Sequence, residues 1–171
     1  RVLAAMNRHY TVGQYLDLLA RARRVVPEIA IAGDFIVGFP GETEEDFQAT
    51  VDLVRRARYR NCFIFKYSPR PGTTAQKRHQ DTVSPEIKQR RNVELLAVQE
   101  AISDELSRAF LGQTVEVLVE GLSKKAHVNP LDEASNPQLV GRTETDYIVV
   151  FNGPPTLEGL SANVRITETS P

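Results

Sequence analysis

The sequence predicts two parts, an α/β segment over residues 1–111 and a small all-β module over residues 112–171. Three observations predict this division. A strand, a helix and a second strand follow one another between residues 29 and 67. A long helical pattern then runs to about Phe110. After "FLGQ" helical periodicity disappears and short β-type runs separated by turn residues take over.

The elements can be justified in order. The chain opens in what reads as the middle of a helix, "RVLAAMNRHY". From Thr11 to Val26, Val12, Tyr15, Leu16, Leu19, Ala22 and Val26 recur at helical spacing, and Pro27 ends the run because its ring cannot continue the hydrogen-bond ladder. "IAIAGDFIVGF" is nearly continuous in apolar and β-branched residues and predicts a strand buried on both faces. Thr43 to Arg58 predicts a helix with Thr43 as N-cap, Asp46 at its third position, Glu44 and Glu45 against the dipole, and a buried face of Phe47, Val51, Val54 and Ala57. "CFIFKY", Cys62 to Tyr67, is the second strand. A strand–helix–strand order implies parallel pairing. Two strands do not complete such a domain, so the segment reads as the C-terminal piece of a larger α/β unit.

"SPRPGTTAQKRHQD", Ser68 to Asp81, is a basic loop punctuated by Pro and Gly, after which Ser84 caps a helix with Leu95, Val98, Ile102, Leu106 and Ala109 on one side. In the β module, "TVEVLVEG", "LVGRT", "YIVVF" and "ANVRIT" are strands. About 60 residues of short strands are best closed as a five-stranded barrel. The polar stretch His127 to Gln138 reads as a loop.

Composition narrows the function classes. With 41% hydrophobic and 25% charged residues the chain is globular rather than disordered. No apolar run approaches the roughly 20 residues a membrane helix needs, and the opening residues show no signal-peptide pattern. Cys62 is the only cysteine, which removes disulfides and all-cysteine metal sites within the chain and points to a reducing cytoplasm. Cys62 reads as core. His9, His79 and His127 have no metal-ligand spacing and read as non-ligands. The net charge of −1 hides an asymmetry: residues 55–91 carry eleven Lys/Arg against Asp81 and Glu86, while residues 112–171 carry four bases against eight acids. The basic stretch is either a polyanion footprint or solvated helix faces.

The stretch "DFIVGFPGETEEDF" places Gly38 and Gly41 at the carboxyl end of a parallel strand, where α/β folds bind ligands. Glycine there permits close approach or positive φ, and Ile36 and Phe39 offer apolar surface to a flat ring. A tight turn that needs glycines for geometry alone is the competing reading. "YSPRPGT" leaves the other strand at the same edge, with Arg70 pre-ordered between two prolines. An ordinary proline-rich loop fits equally. No catalytic triad, phosphate loop or carboxylate pair is present in recognisable form.

Four stretches in this order, "MNRHYT", "DFIVGFPGETEEDF", "YSPRPGTTA" and the "VEG-SKK", "LVGRT", "VVF-G" series, resemble the radical S-adenosylmethionine (SAM) methylthiotransferases, from end to end of the chain. The resemblance implies a partial TIM-like radical SAM barrel followed by a TRAM domain, a small RNA-binding β-barrel. "LVEGLSKK" and "LVGRTETDYIVVF" look most like the branch that adds a methylthio group to C2 of N6-isopentenyladenosine beside the anticodon of tRNA. Branches acting on a ribosomal protein side chain or on threonylcarbamoyl-adenosine share much of the pattern, and a non-catalytic RNA-binding module is the alternative from another class.

The family implies two 4Fe-4S clusters, each held by three cysteines, with a C-x3-C-x2-C motif upstream of this sequence. One cluster binds SAM and cleaves it to a 5′-deoxyadenosyl radical; the other supplies sulfur. No cluster role is carried onto Cys62, so the chain alone is expected to be inactive. Implied partners are the tRNA anticodon stem-loop and an electron donor for cluster reduction. A cytoplasmic monomer without membrane contact is expected.

The family's G-x-I-x-G-x-x-E-like strand contacts the adenine of SAM. Ile36 and Gly38 match it, Asp34 replaces the first glycine, and Glu42 falls one position late and reads as a helix N-terminal acid. The resemblance thus implies a cofactor wall at Ile36, Gly38 and Phe39, with Arg8 toward the methionyl carboxylate and Tyr67 to Arg70 walling the pocket. Ser123, Lys124, Lys125 and Arg142 are the candidates for RNA contact, with the basic 55–91 stretch sharing the tRNA.

Overall fold

The computed structural model describes residues 1–124 and 136–170, so Lys125, His127 and most of the His127–Gln138 stretch lie outside the described residues. The described chain divides into two compact units, Arg1–Leu106 and Ser107–Ser170.

In the first unit the order is α1 (Val2–Ala5), α2 (Val12–Val25), β1 (Ala32–Val37), α3 (Glu44–Ala57), β2 (Asn61–Lys66), α4 (Thr74–Arg78) and α5 (Pro85–Arg108), the last running on into the second unit. Capping boxes start α2 and α3. Thr11 accepts from the Gln14 N–H while the Gln14 side chain accepts from the Thr11 N–H, and Thr43 and Asp46 repeat the exchange. α3 ends where Arg58 enters the left-handed region. Strands β1 and β2 pair in parallel from Ala32 with Asn61 to Val37 with Lys66, as the strand–helix–strand order requires.

One face of this two-stranded sheet joins the core of Phe47, Val51, Val54, Ala57, Tyr59, Cys62, Leu95 and Ile102. The expectation of a strand buried on both faces is corrected. Ile36, Phe63 and Phe65 stand 46%, 54% and 55% exposed on the opposite face. An unbroken apolar run records the side chains only; it does not say whether a second layer covers them. The four residues expected on the buried side of α3 are all buried, and Leu95 and Ile102 fix α5. Ala109 falls beyond α5 and is exposed, so it does not extend that helix's packed side. Tyr59 is an unanticipated core residue. Its hydroxyl meets that of Tyr15 at 2.9 Å, and its ring packs edge-on against Phe35.

The second unit is an antiparallel sheet of β3 (Thr114–Leu122), β4 (Gln138–Arg142), β5 (Ile148–Asn152) and β6 (Ser161–Arg165), in the order β5-β4-β3-β6. These are the four stretches read as strands, and they are four among the described residues where a five-stranded barrel needs one more. A register shift between Val119 and Gly121 bends β3, and Val117, Val119, Leu139 and Val149 make the core of the unit. Gly141 is obligatory there: a Cβ would lie 2.4 Å from the Leu118 carbonyl oxygen. Among the described residues no helix is long and apolar enough to cross a membrane.

Candidate functional site

β1 and β2 both end at the edge where the glycine turn and the Tyr67–Thr73 loop emerge. The turn is held from beneath by α5. Gly38 takes φ +74°, and a Cβ there would lie 2.3 Å from Lys88 Cγ, so only glycine lets the lysine stem pass under the turn. The Lys88 ammonium then donates to the Tyr67 carbonyl at 3.2 Å and to Asp81 Oδ2 at 2.6 Å. Tyr67 N–H donates to the Val37 carbonyl at 2.9 Å, extending the β1–β2 pairing into the second loop.

Glu42 is the residue that sequence reasoning misassigned. It does not serve as a helix N-terminal acid. Its carboxylate Oε2 accepts from Gly38 N–H at 2.6 Å and from Arg91 Nη1 at 2.8 Å. The two side chains are 3% and 5% exposed. Burial raises the Glu42 pKa above its ordinary value, against the opposing pull of the Gly38 N–H and the Arg91 cation. Arg91 also reaches the Glu42 carbonyl and Glu44. Two further ties close the turn: Gly41 N–H donates to Thr82 Oγ1 at 3.0 Å, and the Arg1 guanidinium donates to the Gly41 carbonyl at 2.8 Å and pairs with Asp46. No local pattern announces contacts between residues this far apart in sequence.

The candidate cofactor residues are partly brought together. Ile36 faces outward beside its register partner Phe65, with Phe63 on the same face. Phe39 turns inward. It is 3% exposed, with the rings of Tyr67 and His79 edge-on to it at 5.2 and 5.6 Å. It braces the two loops and offers no surface to a ligand ring. Arg70 is exposed, and its carbonyl accepts from Thr73 Oγ1 at 2.8 Å. Arg8 is exposed in the segment between α1 and α2. Phe63 and Phe65 were missed, although their i, i+2 spacing places both on one face of a strand.

The outward face of β1 and β2, where Ile36, Phe63 and Phe65 stand exposed beside Asp34 and a positive-φ glycine follows, offers apolar surface that suits a planar heterocycle such as adenine. The residues present do not suit an iron–sulfur cluster. Cys62 is buried, its thiol donates to Gln99 Oε1 at 3.1 Å, and desolvation, with Asp34 nearby, pushes its pKa up to about 12. Among the described residues no other group of His, Cys, Asp or Glu could hold a metal.

In the β unit the candidate RNA residues are separated. Register pairs Leu118 with Arg142 and Leu122 with Leu139. Arg142 thus lies roughly 15 Å along β3 from Ser123 and Lys124, at about 3.3 Å per residue. The Arg142 guanidinium is engaged by Asp146 Oδ1 at 2.5 Å and Glu120 Oε1 at 2.9 Å, which raise its pKa above the ordinary value. Lys124 is exposed. A cleft of about 490 Å³ opens between β5 and β6, lined by Phe151, Asn152, Leu157, Asn163 and Arg165 among others.

Residues 1–54 match the radical SAM superfamily and residues 108–171 match the TRAM domain. Over 169 residues, 99% of this chain and 35% of the relative, the sequence is 48% identical to a tRNA-2-methylthio-N(6)-dimethylallyladenosine synthase of Rhodopirellula baltica. A protein of the same name from Carboxydothermus hydrogenoformans is 46% identical over 98% of this chain and 36% of its own length. One from Acetivibrio thermocellus is 43% identical over 97% and 32%. The chain therefore spans about a third of the length of the curated relatives it matches.

Proposed function

We propose that the full-length protein carrying this chain, whose two ends match the radical SAM superfamily and the TRAM domain, is a tRNA methylthiotransferase. In this reading it replaces the C2–H of N6-dimethylallyladenosine (isopentenyladenosine) near the anticodon with a methylthio group. The observation that carries the reading is the continuous match, across both units, to proteins named for that reaction. SAM, together with iron–sulfur clusters whose ligands lie outside this chain, supplies the methyl group, the sulfur and the one-electron chemistry. The protein acts as a cytoplasmic monomer that draws electrons from a separate donor.

Residues 1–111 then form the end of a TIM-like barrel and residues 112–171 an RNA-binding barrel of five strands. Ile36 lies against the adenine, and the Gly38 backbone lets the turn approach it. Phe39 supports that turn from within. Tyr67 and Arg70 wall the same edge, and Arg8 faces the methionyl carboxylate. In the β unit Ser123, Lys124, Lys125 and Arg142 orient the tRNA. The chain by itself is inactive in this reading, because the cluster cysteines are absent from it and its single cysteine is a buried, hydrogen-bonded thiol.

The test is reconstitution of the full-length protein with iron and sulfide, then incubation with SAM, a reductant and tRNA carrying N6-dimethylallyladenosine, with nucleosides read by mass spectrometry. Appearance of the 2-methylthio nucleoside supports the reading. Its absence, with modification instead of threonylcarbamoyl-adenosine tRNA or of a ribosomal protein, replaces it.

A further inference from the structure

The eleven bases between residues 55 and 91 do not form one surface. Most of those on α3, at its C-cap and on α5 are paired with acids. Arg55 pairs with Asp52 at 3.6 Å, Arg58 with Glu105 at 3.0 Å, Lys88 with Asp81 at 2.6 Å, Arg90 with Glu44 at 2.6 Å and Arg91 with Glu42 at 2.8 Å. The segment from Lys66 to Gln80 is different. It holds Lys66, Arg70, Lys77 and Arg78 and contains no Asp or Glu. All four are exposed, and the first acid beyond them, Asp81, is already taken by Lys88. Lys66 donates to the neutral Gln89 side chain, and no ion pair engages it among the described residues.

The segment is braced. Thr73 N–H and Oγ1 close on the Arg70 carbonyl, Gly72 N–H donates to Gln76 Oε1 at 3.1 Å, and the His79 ring packs on Phe39. Its cations are therefore carried on an ordered support, and less entropy is lost when they engage a ligand.

We infer that Lys66–Gln80 is a binding surface for the phosphodiester backbone of RNA, placed at the carboxyl edge of β1 and β2 beside the glycine turn. Charge of one sign without interspersed acid suits a polyanion. A protein partner suits it less. Protein interfaces centre on buried aromatic or aliphatic anchors, and Lys66–Gln80 itself exposes no large apolar side chain, the nearest being Phe65 at its start. The location adds a reason: Lys77 and Arg78 lie on α4, in the segment that leaves β2 at the edge where Ile36 and Phe65 stand exposed. The basic footprint thus narrows from the whole 55–91 stretch to this segment. The inference rests on the tRNA reading above.

The test measures binding of the full-length protein to its substrate tRNA by fluorescence anisotropy across a series of salt concentrations. Lys77→Gln/Arg78→Gln is compared with Arg55→Gln/Arg58→Gln, which removes the same charge from paired positions. Each phosphate contact contributes about 0.7–0.9 to the slope of log affinity against log salt. The Lys77/Arg78 variant is expected to reduce the magnitude of that slope by about 1.4–1.8 and to weaken binding about tenfold or more, while the paired-site variant stays close to wild type. Equal losses in both variants, or an unchanged slope in the loop variant while wild type binds tRNA, would overturn the surface assignment alone. Failure of wild type to bind tRNA at all would overturn the tRNA reading and this assignment with it. Displacement of tRNA by polyglutamate at equal charge concentration would assign the loop to acidic protein instead.

Discussion

Glu42 and Arg91 stand 49 positions apart in sequence and meet as a buried ion pair, Nη1 to Oε2 at 2.8 Å, directly under the Gly38 amide. The pair connects the glycine turn after β1 to the second turn of α5. It fixes a backbone segment that has a positive-φ glycine with an exposed apolar strand beside it. The turn is thus tied to α5 by side-chain hydrogen bonds.

Glu42→Ala should be among the most destabilising substitutions in the first unit. It leaves a buried guanidinium without its carboxylate, a change that costs about 3–5 kcal/mol. Glu42→Gln keeps an acceptor for the Gly38 N–H and should cost less. Urea unfolding of the chain and of both variants measures the difference. Equal stability of Glu42→Ala and wild type would show that the pair is not formed.

Gly38→Ala and Gly41→Ala separate conformational strain from packing. Both glycines have positive φ, +74° and +77°, but only at Gly38 does a Cβ meet atoms, while Gly41 has none within 4 Å. Placing alanine in the left-handed region costs roughly 1–2 kcal/mol in either case. At Gly38 the Lys88 stem, pinned at its far end by Asp81 and the Tyr67 carbonyl, adds to that. Gly38→Ala should therefore be the worse of the two by denaturant melt. Adding Lys88→Ala should recover part of the difference, since the double variant removes the clash.

Much of this was legible in the sequence wherever the signal was local. Thr43 with Asp46, and the Phe47–Val51–Val54–Ala57 spacing, announce α3 because a capping box and a helical stripe lie within one element. The parallel pairing followed from element order alone. The sequence was silent wherever a contact crosses elements. Glu42 next to a helix start looks like any N-terminal acid, and only the placement of α5 brings Arg91 to it. Phe39 reads as an apolar residue at a ligand edge, and only the loop returning after β2 covers it with Tyr67 and His79. Charge runs are ambiguous for the same reason. Lys77 and Arg90 look alike in sequence, and they differ because Glu44 lies beside one of them.

Cys62 should resist alkylation in the folded chain. Its thiol is buried, hydrogen-bonded to Gln99, and held protonated by a pKa near 12, so almost no thiolate exists at neutral pH. Iodoacetamide labelling followed by mass measurement should show reaction at the rate of unfolding, rising sharply in denaturant. Rapid labelling in native buffer would mean that the β2 core is open.

Glu42 and Glu44 should titrate in opposite directions although one residue separates them. Glu44 is exposed, and its hydrogen bond from Arg90 lowers its pKa to about 2 from an ordinary 4.5; Glu42 is raised above 4.5 by burial. The signs for stability follow. A depressed carboxylate contributes stability above its unfolded pKa, so the Glu44 contribution is present above about pH 4.5 and lost as pH falls toward 2. The Glu42 contribution has the reverse sign and is lost as pH rises through its raised pKa. Solvent screening keeps the Glu44 contribution modest. Carboxyl-carbon NMR titration reads both groups directly. Arg90→Gln should return Glu44 toward its ordinary value and leave Glu42 raised, because burial and Arg91 are untouched. If Arg90→Gln moved both together, the Arg91 guanidinium that touches both carboxylates would couple their titrations, and the opposite shifts assigned here to separate causes would be wrong.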